Sequence, residues 1–268
     1  MELFEQSEKI CVSNLLKFSR LPAPSLNPRL DFRARWYYII GEPQTTVKEQ
    51  GMQDFSHQIM EEDYKKELLD ILYTKSFKYD EAGFTLTSGK KSNYYIDVKK
   101  TALSSIAMEL IGYAYFQKLK LAPIDAIGGL TLGADPIAYA AALMCTIRGK
   151  FLDVFIIRKE AKGHGTQACI EGDVKPGANV VVVEDVITTG GSTIKAVQRA
   201  KEAGFNVLRV VALLDREEGG AGNIEKETGV KVDSILTMAD LLEVHKKRTE
   251  EDEKEKKKKE REQERPVF

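Results

Sequence analysis

The stretch VVVVEDVITTGGST, Val180 to Thr193, places two carboxylates, Glu184 and Asp185, directly after four consecutive valines. Val186, Ile187, Thr188, Thr189, Gly190, Gly191, Ser192 and Thr193 follow. The next run, IKAVQRAKEAG, has helical spacing and closes on Gly204, so the segment reads as strand, loop, helix. The paired glycines let the backbone approach an anion, and the hydroxyls donate to its oxygens. The helix start adds unpaired N–H groups at the positive end of its dipole. A phosphate monoester meets these requirements. The chain has no GxxxxGK[ST] and no GxGxxG directly after a strand, which excludes the P-loop and dinucleotide readings. Two carboxylates ahead of a phosphate cradle would repel the ligand unless they meet hydroxyls or a cation. Ribose hydroxyls satisfy them, and the chemistry that fits is the holding of a phosphorylated sugar.

Three further groups carry chemistry. RKEAKGHG, Arg158 to Gly165, crowds Arg158, Lys159, Lys162 and His164 beside Gly163 and Gly165, which permit movement. An ordinary exposed basic turn has the same composition. Arg216 follows the apolar run VVALLD, and its planar fork suits a carboxylate partner, with a surface salt bridge as the plainer reading. Tyr94 and Tyr95 adjoin on an extended segment, where one would face the core and the other solvent.

These groups need rigid elements behind them. Val180 to Val183 are β-branched throughout, which suits a strand buried on both faces. The segments AIGGLTLGADPIAYAAALM, FLDVFIIRK, ANVVVVEDV and NVLRVVALLDR alternate with Gly-rich turns and helical patterns. That alternation predicts βαβ units, hence an α/β fold with a central parallel sheet flanked by helices, and ligands beyond the carboxyl ends of its strands. Upstream, Ile59, Tyr64, Leu68, Leu69 and Leu72 fall near one face of an opening helix, FTLTSGKKSNYYIDVKK reads as extended, and Ser105 to Leu119 reads as a helix. Residues 1–53, with clustered prolines and no sustained period, read as an N-terminal extension of unassigned order. Residues 54–245 form the catalytic domain, and residues 246–268 a charged tail read as a solvated helix or a disordered end.

A formal net charge of −1 gives no general pull toward nucleic acid, so phosphate binding must come from local clusters. Cys11, Cys145 and Cys169 are odd in number and widely spaced. They point to a reducing, cytoplasmic compartment and away from zinc or a disulfide framework. No apolar stretch is long enough to span a bilayer, and the N-terminus does not read as a secretory signal.

The fourteen-residue string closely resembles the phosphoribosyl diphosphate signature of the type I phosphoribosyltransferases. Three other segments narrow the resemblance to orotate phosphoribosyltransferases: FTLTSGKKSNYYID, Phe84 to Asp97; RKEAKGHG; and LLDREEGG, Leu213 to Gly220, all in that family's order. The resemblance covers roughly residues 62–242. It implies a type I fold with a small hood, and Mg²⁺-dependent transfer of 5-phosphoribosyl from its 1-diphosphate to orotate in UMP biosynthesis. By resemblance, Arg158, Lys159, Lys162 and His164 close over the diphosphate, partly across a homodimer, with Lys162 and Asp185 catalytic. Glu184 and Asp185 hold the ribose hydroxyls, and Mg²⁺ is carried mainly by diphosphate and water with Asp185 as a protein oxygen. Val186 to Ser192 cradle the 5-phosphate, and Tyr94, Tyr95, Thr188 and Arg216 border orotate.

Two departures stand out. Thr87 replaces a lysine that many members carry, and GGLTLGADP, Gly128 to Pro136, lacks the lysine some carry there. In that segment Gly128, Gly129 and Gly133 are expected to admit the diphosphate or its metal. Two alternatives remain on residues alone: transfer to another base, against which Arg216 and the tyrosine pair argue, and a non-catalytic phosphoribosyl diphosphate sensor. The near-neutral charge and lack of a clear helix-turn-helix argue against the sensor.

Overall fold

A computed structural model describes residues 63–85, 91–160 and 169–263. The opening helix, α1 (Asp63–Ser76), is the expected one, with Leu68 and Leu72 buried and Tyr64 and Leu69 packed beside them. Of the segment read as extended, Lys91–Ile96 forms β2, which pairs antiparallel with β1 (Phe77–Thr85), a strand that begins ahead of that segment; the hairpin is the hood. A single helical turn, α2 (Lys99–Ala102), leads to α3 (Ser105–Leu119), whose bounds match the sequence reading.

The central sheet contains β3 (Ala126–Leu130), β4 (Asp153–Ile157), β5 (Ile170–Glu171), β6 (Asn179–Ile187), β7 (Asn206–Asp215) and β8 (Lys231–Thr237). Their order is β5-β4-β3-β6-β7-β8, parallel throughout except for the short edge strand β5, which runs antiparallel to β4. The connections carry α4 (Ala134–Ile147), α5 (Gly191–Glu202) and α6 (Gly220–Thr228), and α7 (Met238–Gln263) follows β8.

β6 sits between β3 and β7, and Val180 to Val183 have no measurable exposure, as the β-branched run predicts. Strand alternation sends Val181 and Val183 to the core formed with α1, α3 and α4, whereas Val180 and Val182 join Ala196, Val197 and Ile224 of α5 and α6. Each such valine contributes roughly 1.5–3 kcal/mol by leaving water. The strand that carries the acidic pair is therefore among the most firmly held parts of the chain.

Gly128 and Gly129 lie within β3 and do structural work, which corrects the expectation that they admit a ligand. A Cβ on Gly128 would fall 1.9 Å from the Phe155 carbonyl oxygen. One on Gly129 would fall 2.2 Å from that of Val183 and 2.6 Å from Ala134 Cβ. Their small size lets β4 and α4 close on β3.

The charged tail is the distal part of α7, which runs unbroken through residues 245 and 246. Its first half is docked. Leu241 is buried, and the His245 ring shares a 2.9 Å hydrogen bond through Nδ1 with the Tyr73 hydroxyl. The same ring packs among Phe77, Tyr79 and Tyr94 of the hood. Arg248 lies 4.8 Å from the Tyr73 ring centroid and 3.3 Å from Asp70. Beyond Thr249 the residues whose exposure is described all face solvent, as a helix of mixed charge should.

Candidate active site

The acidic pair lies inside β6. β6 pairs with β7 as far as Ile187 opposite Asp215, so Glu184 and Asp185 are strand residues, whereas the sequence reading placed them after the strand. Alternation continues through them. Glu184 turns toward α5, where its Oε2 accepts from Thr193 Oγ1 at 2.7 Å and Ser192 Oγ at 3.3 Å. Asp185 turns toward the start of α4, where a Cβ on Gly133 would fall 2.5 Å from its carboxylate. Asp185 Oδ1 also accepts from the Val186 amide at 3.0 Å.

Glu184 is 6% exposed, and burial pushes its carboxyl up to about 8. The Thr193 hydrogen bond opposes that rise and the Asp185 charge adds to it. At neutral pH the pair is therefore a largely neutral Glu184 beside Asp185. A neutral Glu184 reduces the repulsion that a phosphate would meet at this strand.

After Ile187 the chain forms the anion cradle. Gly190 caps α5 in the left-handed region, φ +86°, with its carbonyl accepting from the Ile194 amide at 2.9 Å. A Cβ there would also lie 2.8 Å from the Gly220 carbonyl oxygen and from Ile224, so glycine is required twice over. No side chain caps this helix start, and its first amides are free to donate to an anion. Asn223 Nδ2 donates to the Thr189 carbonyl at 3.1 Å, which ties the cradle to α6.

Arg216 continues the β6–β7 pairing by one bond, its amide donating to the Ile187 carbonyl at 2.9 Å, and so stands beside Thr188. Its Nη2 lies 2.8 Å from Glu218 Oε1 with only 11% of the side chain exposed. Its Nε is buried without a hydrogen-bond partner among the described residues. The salt bridge to Glu218 therefore satisfies only part of the guanidinium. A guanidinium nitrogen taken from water and left without an acceptor costs free energy that an incoming carboxylate would recover.

β2 splits the tyrosine pair. Tyr94 turns into the hood, 5.5 Å from Phe77 and 5.4 Å from Tyr79, whereas Tyr95 is 40% exposed with Phe84 as its aromatic neighbour. Arg158 pairs with Glu171 at 2.9 Å, and Arg199 of α5 grips the carbonyls of Arg158 and Lys159. The base of the basic segment is thus tied to the helix that follows the phosphate cradle. Lys162 and His164 lie outside the described residues, as does Thr87.

One contributor was missed by sequence reasoning. Thr131 Oγ1 donates to Asp135 Oδ2 at 2.7 Å and braces the turn that brings Gly133 against Asp185. Gly133 has φ −64°, a value any residue adopts, so only its missing side chain matters. Gly133→Ala should therefore displace the Asp185 carboxylate and lower kcat/KM on the order of a hundredfold. Stability should change by no more than about 1 kcal/mol, since the atoms that must move end a side chain. Steady-state assays beside thermal melts check this, and full activity in the variant would remove Gly133 from the site.

No protein-family model matches the chain. The chain is similar to the orotate phosphoribosyltransferase of Aquifex aeolicus, 45% identical over 179 residues that cover 66% of this chain and 97% of that protein. Among solved structures it is similar to Mycobacterium tuberculosis orotate phosphoribosyltransferase in complex with Fe(III) dicitrate. The TM-score is 0.59 at 38% identity, covering 66% of this chain and 98% of that one. A structure of the Mycobacterium tuberculosis enzyme with 5-phospho-α-D-ribosyl 1-diphosphate gives a TM-score of 0.56 at 35% identity over the same shares.

Proposed function

The chain belongs to the orotate phosphoribosyltransferase family, and from that premise we propose how its residues divide the work of the reaction. The enzyme transfers 5-phosphoribosyl from its 1-diphosphate to N1 of orotate, giving orotidine 5′-monophosphate and diphosphate in UMP biosynthesis. Breaking the C1–oxygen bond leaves positive charge on the sugar and negative charge on the departing diphosphate. The protein must stabilise the second without displacing the first.

The 5-phosphate is held by the α5 amides and by the hydroxyls of Thr188, Thr189 and Ser192. Asp185 receives the ribose hydroxyls, with Glu184 fixing the cradle from below through Thr193. The orotate carboxylate pairs with Arg216, while Thr188 and Tyr95 border the ring and Tyr94 supports Tyr95 from inside the hood. The observation that carries this assignment is the buried Arg216 Nε, without a hydrogen-bond partner among the described residues, beside the phosphate cradle.

The donor set fits Mg²⁺ carried by the substrate. Among the described residues no cluster of three or more His, Cys, Asp or Glu could hold a metal unaided, and Asp185 supplies one carboxylate where the ribose and diphosphate meet. When bound, Mg²⁺ adds positive charge at the diphosphate oxygens. Arg158, Lys159, Lys162 and His164 close over the diphosphate and exclude water that would otherwise hydrolyse the sugar cation.

We assign this closure to a homodimer in which Lys162 and His164 reach the neighbouring subunit. Supporting it, Tyr139, Leu143 and Ile147 form an exposed apolar stripe along α4, each more than half exposed. No helix among the described residues is long and apolar enough to cross a membrane, and the widely spaced cysteines suit the cytoplasm.

Purified protein mixed with orotate, phosphoribosyl diphosphate and Mg²⁺ should show loss of orotate absorbance that stops when either of the last two is omitted. Turnover of hypoxanthine or uracil with none of orotate would overturn the assignment.

A further inference from the structure

Among the described residues the hood strands β1 and β2 pair only with each other, apart from the six-stranded sheet. A hairpin of that size is marginal alone in water, so its position is fixed by whatever covers its apolar face. Phe77 and Tyr79 alternate onto one face of β1, and Tyr94 stands directly opposite Tyr79 on β2. Two helices cover this face. From α1, the Tyr73 ring stacks on Phe77 with 5.1 Å between centroids. From α7, the His245 ring lies 4.8 Å from Tyr79, 5.4 Å from Phe77 and 6.3 Å, edge-on, from Tyr94.

His245 is itself held from behind. Its Nδ1 shares a 2.9 Å hydrogen bond with the Tyr73 hydroxyl. Leu241, His245 and Arg248 fall at i, i+4 and i+7, so a single face of α7 makes the contact. Leu241 is buried, while Arg248 lies 4.8 Å from the Tyr73 ring centroid and 3.3 Å from Asp70. A 3.4 Å ion pair between Lys65 and Asp240 fastens the start of the same helix to α1. α7 is therefore a fixed strut, and His245 is the side chain it sets against the aromatic face of the hood. Strand alternation puts Tyr95 on the other side of β2, exposed and beside Phe84. Any displacement of Tyr94 reaches Tyr95 through the backbone the two share.

We propose that His245 is a positioning residue for the transferase: by filling the inner face of the hood beside Tyr94, it fixes where β2 presents Tyr95 to orotate. The role rests on the reading above, in which Tyr95 borders the orotate ring. It gives the C-terminal helix, which carries none of the residues assigned to the substrates, a part in binding one of them. The phosphate cradle stands on β6 and α5, elements of the central sheet and its cover, so the effect should fall on orotate and spare the phosphoribosyl donor.

The test uses the full-length wild type, His245→Ala, His245→Gln and His245→Phe. His245→Ala should raise the KM for orotate on the order of tenfold, since even a misplacement of about 1 Å in a positioned group can cost a hundredfold. The KM for phosphoribosyl diphosphate should stay within about threefold, as expected when the lost contact serves the other substrate. Amide hydrogen exchange should quicken in β1 and β2 and stay unchanged in β6 and β7. His245→Gln can keep a hydrogen bond to Tyr73 without the ring, and it carries the same expectation should His245→Ala fail to fold. His245→Phe restores the ring alone and should recover most of the orotate KM. A ring that only stabilises the fold would lower the melting temperature and leave both KM values unchanged or shift them alike. Either result overturns the proposal, as does quickened exchange in the hood with an unchanged KM for orotate. A wild type that consumes no orotate would defeat the functional reading, whereas an active wild type with ringless variants indifferent toward orotate would defeat this inference alone.

Discussion

Arg216→Ala is expected to lower kcat/KM for orotate on the order of a thousandfold, because a site built to pair with a substrate group loses far more than a methylene's worth of binding when the partner goes. The side chain is only 11% exposed, Glu218 takes one nitrogen, and Nε has no acceptor among the described residues. Orotate brings the carboxylate that would complete it. Uracil is the same ring without that carboxylate, so the two substrates and two proteins form a cycle that isolates the contact. In the wild type orotate should be strongly preferred over uracil. In Arg216→Ala the preference should collapse through loss of orotate turnover, with whatever uracil turnover exists little changed. Arg216→Lys should not restore it, since a point charge cannot reproduce a planar fork. A preference for orotate that survives in Arg216→Ala would assign carboxylate recognition elsewhere. The fold should tolerate the change, because the turn is also held by the Glu217 amide on Asp215 at 2.8 Å and the Ala239 amide on Glu217 at 2.8 Å.

The same segment shows what a linear sequence reveals and what it hides. The valine run announced a doubly buried strand, and the hydroxyls, glycines and helical pattern after it announced an anion cradle, because each follows from neighbours a few residues apart. The strand's end did not follow from them. Two acids in succession look like a loop, yet β7 continues alongside and gives Glu184 and Val186 partners in Ala212 and Leu214. The glycines of GGLTLGADP were legible as positions of close approach. Whether carbonyls, a carboxylate or a ligand approached was set by strands distant in sequence, and Gly128, Gly129 and Gly133 came out differently. Alternation at Tyr94 and Tyr95 was readable, whereas which one would face the hood depended on a hairpin register set by Phe77 and Tyr79 and on a ring from the C-terminal helix.

Glu184 should make the protein less stable as pH rises, and Glu184→Gln should remove that loss. Its carboxyl is raised from 4.5 to about 8 in the fold, chiefly by burial, so between those values the native state holds a proton that the unfolded chain has released. The stabilising contribution is fully present below pH 4.5 and is withdrawn as pH climbs through 8. Integrated over that window the loss is several kcal/mol, which for a domain of this size corresponds to roughly 5 °C or more in Tm. Glutamine copies the neutral form: its carbonyl oxygen can accept from Thr193 and Ser192 as Glu184 Oε2 does, and its amide group needs no proton from solvent. Wild type and Glu184→Gln should therefore melt together near pH 5 and separate steadily toward pH 9, with the variant the more stable. Other groups titrate in both proteins and cancel in the difference, provided Asp185 keeps its place beside Gly133 and Val186. Parallel melting curves across the whole range would mean that Glu184 is already ionised at neutral pH in the folded enzyme.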